Sequence, residues 1–291
     1  MSGPGQDYGS EITYGEAQND SPISSAYPLG STVAERQRLV SQAEGYEPQA
    51  RWLLDRIGIR PGWRVADIGC GPIGILNLLS ERIGPSGYAL GLEREPRFAE
   101  MARGEIATRG LDNVEILETD ILNNNLEKNS FDLVHERLVM INVAAREAVL
   151  SEMLSLLRPG GTVILEDVDN VSWLCQPAHP SWDVLRDAFF TVYQANGGDP
   201  FIGRRLPDYL RSAGVHNIQV KIHVDAAASG DYRRKHLLSL LDSIRDKVIG
   251  MGVLTASDLR KHKEALEVHL GDPTTIVIDK LLVQSWGQKS G

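Results

Sequence analysis

Apolar residues in this chain come in short bursts separated by stretches of helical spacing. Arg64–Ile68, Tyr88–Leu92, Val114–Leu117, Phe131–Val134 and Thr162–Leu165 are apolar runs. They have strand length and are too apolar to keep one face in water. Between them, residues 74–83, 96–109 and 144–157 carry apolar side chains at helical intervals. In the first of these, Ile75, Leu76, Leu78 and Leu79 turn inward. Pro61-Gly62, Gly84-Pro85-Ser86-Gly87 and Arg158-Pro159-Gly160-Gly161 punctuate the alternation, with Gly110 as a helix C-cap. Short apolar strands spaced by helices predict a parallel sheet covered on both faces, with right-handed crossovers.

The flanks have a different rhythm. Residues 31–57 read as helical, with Ser31 or Thr32 as cap and Glu35 completing a capping box. A second helical stretch starts at Pro48, carries Trp52, Leu53, Leu54 and Ile57, and stops at Gly58. After residue 170, Trp182–Tyr193 and Pro207–Ala213 read as helices and Ile218–Val224 as a strand. A mostly helical segment then leads to a last strand, Thr275–Val283. Residues 1–26 are polar and suit a flexible tail, although Tyr8, Ile12 and Tyr14 leave room for an arm packed on a partner. The expected organisation is an arm (1–26), a helical lid (27–58), a Rossmann-like core (59–170), a further strand with a helical substrate cap (171–273), and a final strand and tail (274–291).

Composition narrows the function. The 291 residues carry a net charge of -9, which disfavours a general nucleic-acid binder, since phosphate contacts need a basic surface. No apolar stretch approaches the roughly 20 residues that span a bilayer, and the first residues lack the pattern of a secretory signal. Two cysteines, Cys70 and Cys175, make neither a disulfide framework nor a zinc site. The expectation is a cytoplasmic protein with no metal and no nucleic-acid or membrane partner.

VADIGCGPIG, residues 65–74, is the most informative stretch. Gly69, Gly71 and Gly74 fit G-x-G-x-x-G between a strand and a helix, where absent Cβ atoms let a ligand approach the backbone. Nicotinamide and flavin dinucleotides would set a pyrophosphate here, but Asp67, two residues earlier, would repel it. A ligand with a cationic amino-acid end suits that carboxylate better. Glu93 ends the second strand, 22 residues after Gly71, where it can accept two ribose hydroxyls or simply sit at the surface. Asp120 ends the third strand and can accept an adenine amino group, with Ile121 and Leu122 on the ring, or cap a helix.

Together, VADIGCGPIG, ALGLE, ETDI, FDLVHERLV (131–139) and LLRPGGTVILED (156–167) make the chain resemble class I S-adenosylmethionine-dependent methyltransferases. The likeness covers about residues 45–170 and is greatest to the branch acting on quinone precursors and other small metabolites. Pro72 departs from it outside the three glycine positions. The resemblance implies an α/β fold with a Rossmann-like seven-stranded, mostly parallel sheet, helices on both faces, an N-terminal helical lid and helical cap insertions. Ile218–Val224 and Thr275–Val283 would be the sixth and seventh strands, the latter antiparallel. It also implies a cofactor, S-adenosyl-L-methionine, held by Asp67, Gly69, Cys70, Gly71, Glu93, Arg94, Asp120, Ile121 and His135, with Tyr27 and Gln42 on the lid.

Chemistry belongs at the carboxyl ends of the strands. His135, directly after the fourth strand, could deprotonate an acceptor or only position cofactor or substrate. H-E-R-L-V is not H-E-x-x-H, so no zinc site follows. Trp173, Trp182, His179 and Arg137 are the substrate candidates, although aromatic residues at helical spacing also make ordinary core. Asp167 could touch substrate or cap. The expected function is methyl transfer to O, N or C of a small apolar or aromatic metabolite of natural-product type, by an enzyme that could pair with itself through the arm or cap. The alternatives are a cyclase or rearrangement catalyst on the same fold, a nicotinamide-dependent oxidoreductase, and a protein or RNA methyltransferase. The acidic charge and the lack of an N-P-P-Y-like tetrapeptide after strand four disfavour the last.

Overall fold

The computed structural model describes residues 45–291. The arm, the helix start at Ser31 or Thr32, Tyr27 and Gln42 lie outside the described residues.

Helix α1 (Glu47–Ile57) carries Pro48 in its first turn, where the missing N–H is harmless, and ends on left-handed Gly58, which donates to Leu54 O. Its inward positions are Ala50, Leu53 and Leu54. From there β1 (Arg64–Ile68), α2 (Leu76–Ile83), β2 (Tyr88–Glu93), α3 (Pro96–Arg109), β3 (Val114–Glu118), β4 (Phe131–Arg137), α4 (Arg146–Leu156) and β5 (Leu157–Asp169) alternate as expected. Then follow β6 (Leu174–Gln176), α5 (Pro180–Ala195), α6 (Leu206–Ser212), β7 (His216–His223), β8 (Ala226–Ala227), α7 (His236–Ser243), α8 (Arg245–Gly250), α9 (Ala256–Gly271) and β9 (Ile276–Ile278), of which β7 joins the main sheet and the rest, α6 apart, form the cap. Strand β10 (Leu281–Gln288) completes the main sheet.

That sheet has seven strands in the order β3-β2-β1-β4-β5-β10-β7. The first five are parallel, and β10 runs antiparallel to both neighbours. The expected Rossmann-like architecture is therefore present. On one face, Val65, Leu133, Ile164 and Trp286 pack with Leu53, Leu54 and Leu79 of α1 and α2. On the other, α4 and the cap helices build the larger core around Leu165, Leu185 and Leu241.

Two expectations are corrected. Strand four extends through His135, Glu136 and Arg137, so these residues lie in the ladder rather than after it. The expected last strand, Thr275–Val283, is two strands separated by Asp279-Lys280. The first of them, β9, joins β6 and β8 in a small second sheet that the sequence did not suggest. No helix among the described residues is long and apolar enough to cross a membrane.

Candidate active site

The site grows from the end of β1. Gly69, Gly71 and Gly74 all have positive φ (64°, 57° and 53°), a region where L side chains are strained. Each glycine has its own further reason. A Cβ on Gly69 would fall 2.5 Å from Val139 Cγ2, and one on Gly74 would collide with Asp67 Oδ2. A Cβ on Gly71 would meet nothing within 4 Å, so open space lies above that residue. This open backbone, flanked by the start of α2, is the cradle a ligand can approach.

Asp67 organises the loop from below. Its Oδ2 accepts Ile75 N–H at 3.2 Å, and its Oδ1 lies 2.7 Å from Nδ1 of His135. Both residues are buried. A carboxylate acceptor at this distance calls for a proton on Nδ1. Each of its oxygens thus has one partner within the protein, Ile75 N–H for Oδ2 and the His135 ring for Oδ1.

Glu93 reaches across from β2. Gly71 N–H donates to its Oε2 at 2.9 Å and Glu95 N–H to its Oε1 at 2.8 Å. Burial pushes its carboxyl above the usual range, against these donors. Asp120 ends the next strand and takes the cap role: Leu122 N–H donates to its Oδ1 at 2.9 Å, while Oδ2 lies 3.8 Å from Arg94 Nη1. Ile121 is buried and Leu122 exposed. Cys70 holds the loop through both backbone and side chain, its thiol donating to Gly71 O at 3.6 Å. Its N–H donates to Leu92 O, and its thiol is buried under Gly91, where desolvation raises its pKa well above normal.

Opposite this row, Arg137 lies under the start of α1. Its Nη2 donates to Gly74 O at 3.4 Å, its guanidinium faces the Tyr46 ring at 5.7 Å, and Nη1 lies 3.6 Å from Glu166 Oε1. Gln284 of β10 donates through Nε2 to Glu166 Oε2 at 2.5 Å and to Gln49 O at 3.1 Å. Asp67, His135, Arg137, Glu166 and Gln284 are register neighbours, so one face of four strands carries a buried polar row. Arg137 Nη1, Glu166 Oε1 and Gln49 Oε1 are buried there without a hydrogen bond. Tyr46, Gln49, Glu166 and Gln284 escaped the sequence reading, and only Glu166's position inside an otherwise apolar strand hinted at them.

The other face of the same strands holds the loop after β4. Val139 and Met140 N–H donate to Glu136 Oε2 at 2.9 and 3.4 Å, and Ile141 N–H donates to Asp167 Oδ2 at 2.8 Å. Asp167 thus holds the turn that follows β4. Burial pushes it to about 8 and raises Glu136 well above its usual value.

The four substrate candidates do not converge. Arg137 lies beside the glycine loop. Trp173 stands just past β5, with Trp182 behind it in the core and the Trp182 Nε1–H donating to Trp173 O at 3.3 Å. His179 caps α5 by accepting Ser181 N–H at 3.2 Å and stacks on His269 at 4.7 Å. Among the described residues, no group of His, Cys, Asp and Glu has the geometry of a metal site.

Comparison with known proteins places this arrangement. Residues 59–193 match the family described as "Methyltransferase domain". An uncharacterized 37.1 kDa protein of a Streptomyces fradiae transposon is 32% identical over 162 residues, 56% of this chain and 46% of that protein. The demethylmenaquinone methyltransferase of Lactococcus lactis is 28% identical over 158 residues, 54% of this chain and 58% of the enzyme. The chain thus spans about half the length of the curated relatives it matches. Among solved structures, the YcgJ protein of Bacillus subtilis superposes with a TM-score of 0.56 at 14% identity, covering 84% of this chain and 100% of that one. Phosphoethanolamine N-methyltransferase 2 of Haemonchus contortus, solved with S-adenosylhomocysteine, gives 0.53 at 17% identity, covering 84% and 53%. These likenesses establish the fold. Residues 59–193 are similar to methyltransferase domains.

Proposed function

We propose that the protein transfers a methyl group from S-adenosylmethionine to an O, N or C atom of a small apolar or aromatic metabolite. The observation that carries this reading is the open backbone at Gly71, framed by strand-end carboxylates at Asp67, Glu93 and Asp120. Negative charge on three sides repels a pyrophosphate and fits a cationic amino-acid nucleoside. When bound, S-adenosylmethionine supplies an electrophilic methyl group on a sulfonium.

The chain's own residues do the rest. Gly69, Cys70 and Gly71 offer backbone to the ligand. Glu93 accepts ribose hydroxyls with the lone pairs its two backbone donors leave over, and Arg94, Asp120 and Ile121 border the base. Asp67 holds His135 with Nε2 free to accept a proton from an acceptor, or to orient it. Methyl transfer with a good leaving group is driven largely by positioning, so a lid matters. The start of α1, with Tyr46 over Arg137, supplies one wall, and Tyr27 and Gln42 are proposed as further cofactor contacts. The relatives named demethylmenaquinone methyltransferase favour an aromatic or quinol-like acceptor.

Calorimetry tests the reading. S-adenosylmethionine and S-adenosylhomocysteine should bind and NADH should not. Binding of NADH alone would overturn it.

A further inference from the structure

One aromatic and cationic corner of the cap lies outside the cofactor machinery. Trp173 follows β5 after the short turn Asn170–Ser172, and Lys280 immediately precedes β10. Because Leu281 pairs with Asp169, both residues rise from the carboxyl end of β5, the edge where ligands of such sheets sit. The Lys280 ammonium lies 4.7 Å from the centre of the Trp173 indole and 3.4 Å from His236 Nε2. The His236 ring meets Trp173 edge-on at 6.1 Å, and Trp182 does so from another side at 5.6 Å.

The corner is linked to the cofactor loop through the start of α1. Tyr232 lies 6.4 Å from His236, and a Cβ on Gly45 would fall 2.7 Å from its hydroxyl. Tyr46, the next residue, faces Arg137, which donates to Gly74 O. The corner and the glycine loop thus flank the same helix start.

Its chemistry is that of a donor site. Lys280 offers only donors, and so does an indole N–H. Trp173 Nε1 is buried with no hydrogen-bond partner, an arrangement native interiors seldom leave without use. The neighbouring acid, Asp279, accepts the Lys280 backbone N–H at 2.8 Å and turns its other oxygen toward Arg233 at 4.0 Å. His236 can accept from the ammonium only while neutral.

We propose that Trp173, Lys280 and His236 recognise the methyl acceptor, and that they select an anionic oxygen, phenolate or carboxylate, carried on an apolar body. This rests on the methyl-transfer reading above and names its substrate class. Lys280 supplies charge, the Trp173 Nε1–H supplies a directed donor, and the Trp173 ring with its aromatic neighbours receives the apolar part. His236 orients the ammonium. None of the three touches the glycine loop, so cofactor affinity is separable from acceptor choice.

The test uses the full chain saturated with S-adenosylhomocysteine. 2-Naphthoate and its uncharged isostere 2-naphthamide are titrated by calorimetry. The carboxylate should bind at least about tenfold more tightly, as a charge-assisted contact in a desolvated site does. Lys280→Met should abolish most of that preference and Lys280→Arg should keep part of it. Trp173→Phe, which keeps an aromatic ring but deletes the N–H, should weaken 2-naphthoate more than 2-naphthamide. Titration with 2,4-dinitrophenolate tells phenolate from carboxylate recognition. Equal affinities for the naphthyl pair, no binding of either anion, or a preference that survives Lys280→Met overturns the proposal. Loss of S-adenosylhomocysteine binding itself would instead overturn the methyl-transfer reading, so the two failures are distinct.

Discussion

Asp67 and His135 face each other in register on β1 and β4, with Oδ1 and Nδ1 2.7 Å apart. The same carboxylate holds Ile75 N–H at the start of α2, so one side chain fixes both the imidazole and the helix entry. Asp67→Ala strands two buried donors, each at about 1–3 kcal/mol. His135→Ala leaves the contact to Ile75 in place. Denaturant titration should therefore show a larger loss for Asp67→Ala than for His135→Ala. The reverse order would mean that the carboxylate is not the organiser.

The glycine loop yields a sharper contrast. Gly69→Ala would drive a methyl group into Val139 at 2.5 Å, whereas Gly71→Ala meets no protein atom within 4 Å. Both residues have positive φ, which costs roughly 1–2 kcal/mol for a non-glycine residue. Gly69→Ala should lose that and a packing penalty, with a clearly lower melting temperature. Gly71→Ala should stay folded and lose S-adenosylhomocysteine affinity, because the methyl group occupies the cradle. Equal melting losses, or normal binding by Gly71→Ala, would contradict the placement of the ligand.

Glu93 binds the loop through Gly71 N–H and faces it with charge. Glu93→Gln preserves size and one acceptor but removes the charge. Affinity for S-adenosylhomocysteine should fall by about tenfold, the equivalent of roughly 1.4 kcal/mol. A 2′-deoxy analogue of the ligand, which the wild type binds less well, should be penalised far less in the variant. An unchanged penalty would remove Glu93 from the ribose.

Asp167 supplies a prediction in pH. Burial raises its folded pKa from an ordinary 3.8 to about 8. The folded state then holds a proton that the unfolded chain has released, so stability is full below the ordinary value and declines as pH rises through about 8. Unfolding free energies measured from pH 5 to 8 should fall in the wild type, and the slope should flatten in Asp167→Asn. Glu136, raised in the same direction, keeps some slope in the variant. A stability that climbs across this window would refute the protonated, buried carboxyl.

The sequence carried the frame of the fold because β1, β2 and β3 are apolar runs bounded by glycine and proline turns. It failed at β4, where His135, Glu136 and Arg137 look like the start of a loop. They stay in the ladder because each finds a partner there: Asp67 for His135, the loop amides for Glu136, and Gly74 O for Arg137. It failed again at residues 275–283, where apolar runs on both sides of Asp279-Lys280 look continuous while belonging to different sheets. Of the site, the glycines and strand-end acids were legible as local motifs. Glu166 with Gln284, and Trp173 with Lys280, were not, since no local pattern links residues so far apart along the chain.

Strand β10 has a kinetic consequence. It lies between β5 and β7, and its Gln284 meets Glu166 across a sequence separation of 118. Closing so long a loop is entropically unfavourable before the ladder on either side rewards it, and non-local pairing of this kind slows folding. Until β10 inserts, β5 and β7 both present bare edges, the surface on which two chains most readily cross-pair. Refolding yield should therefore depend on protein concentration more steeply than the stability of the finished sheet suggests.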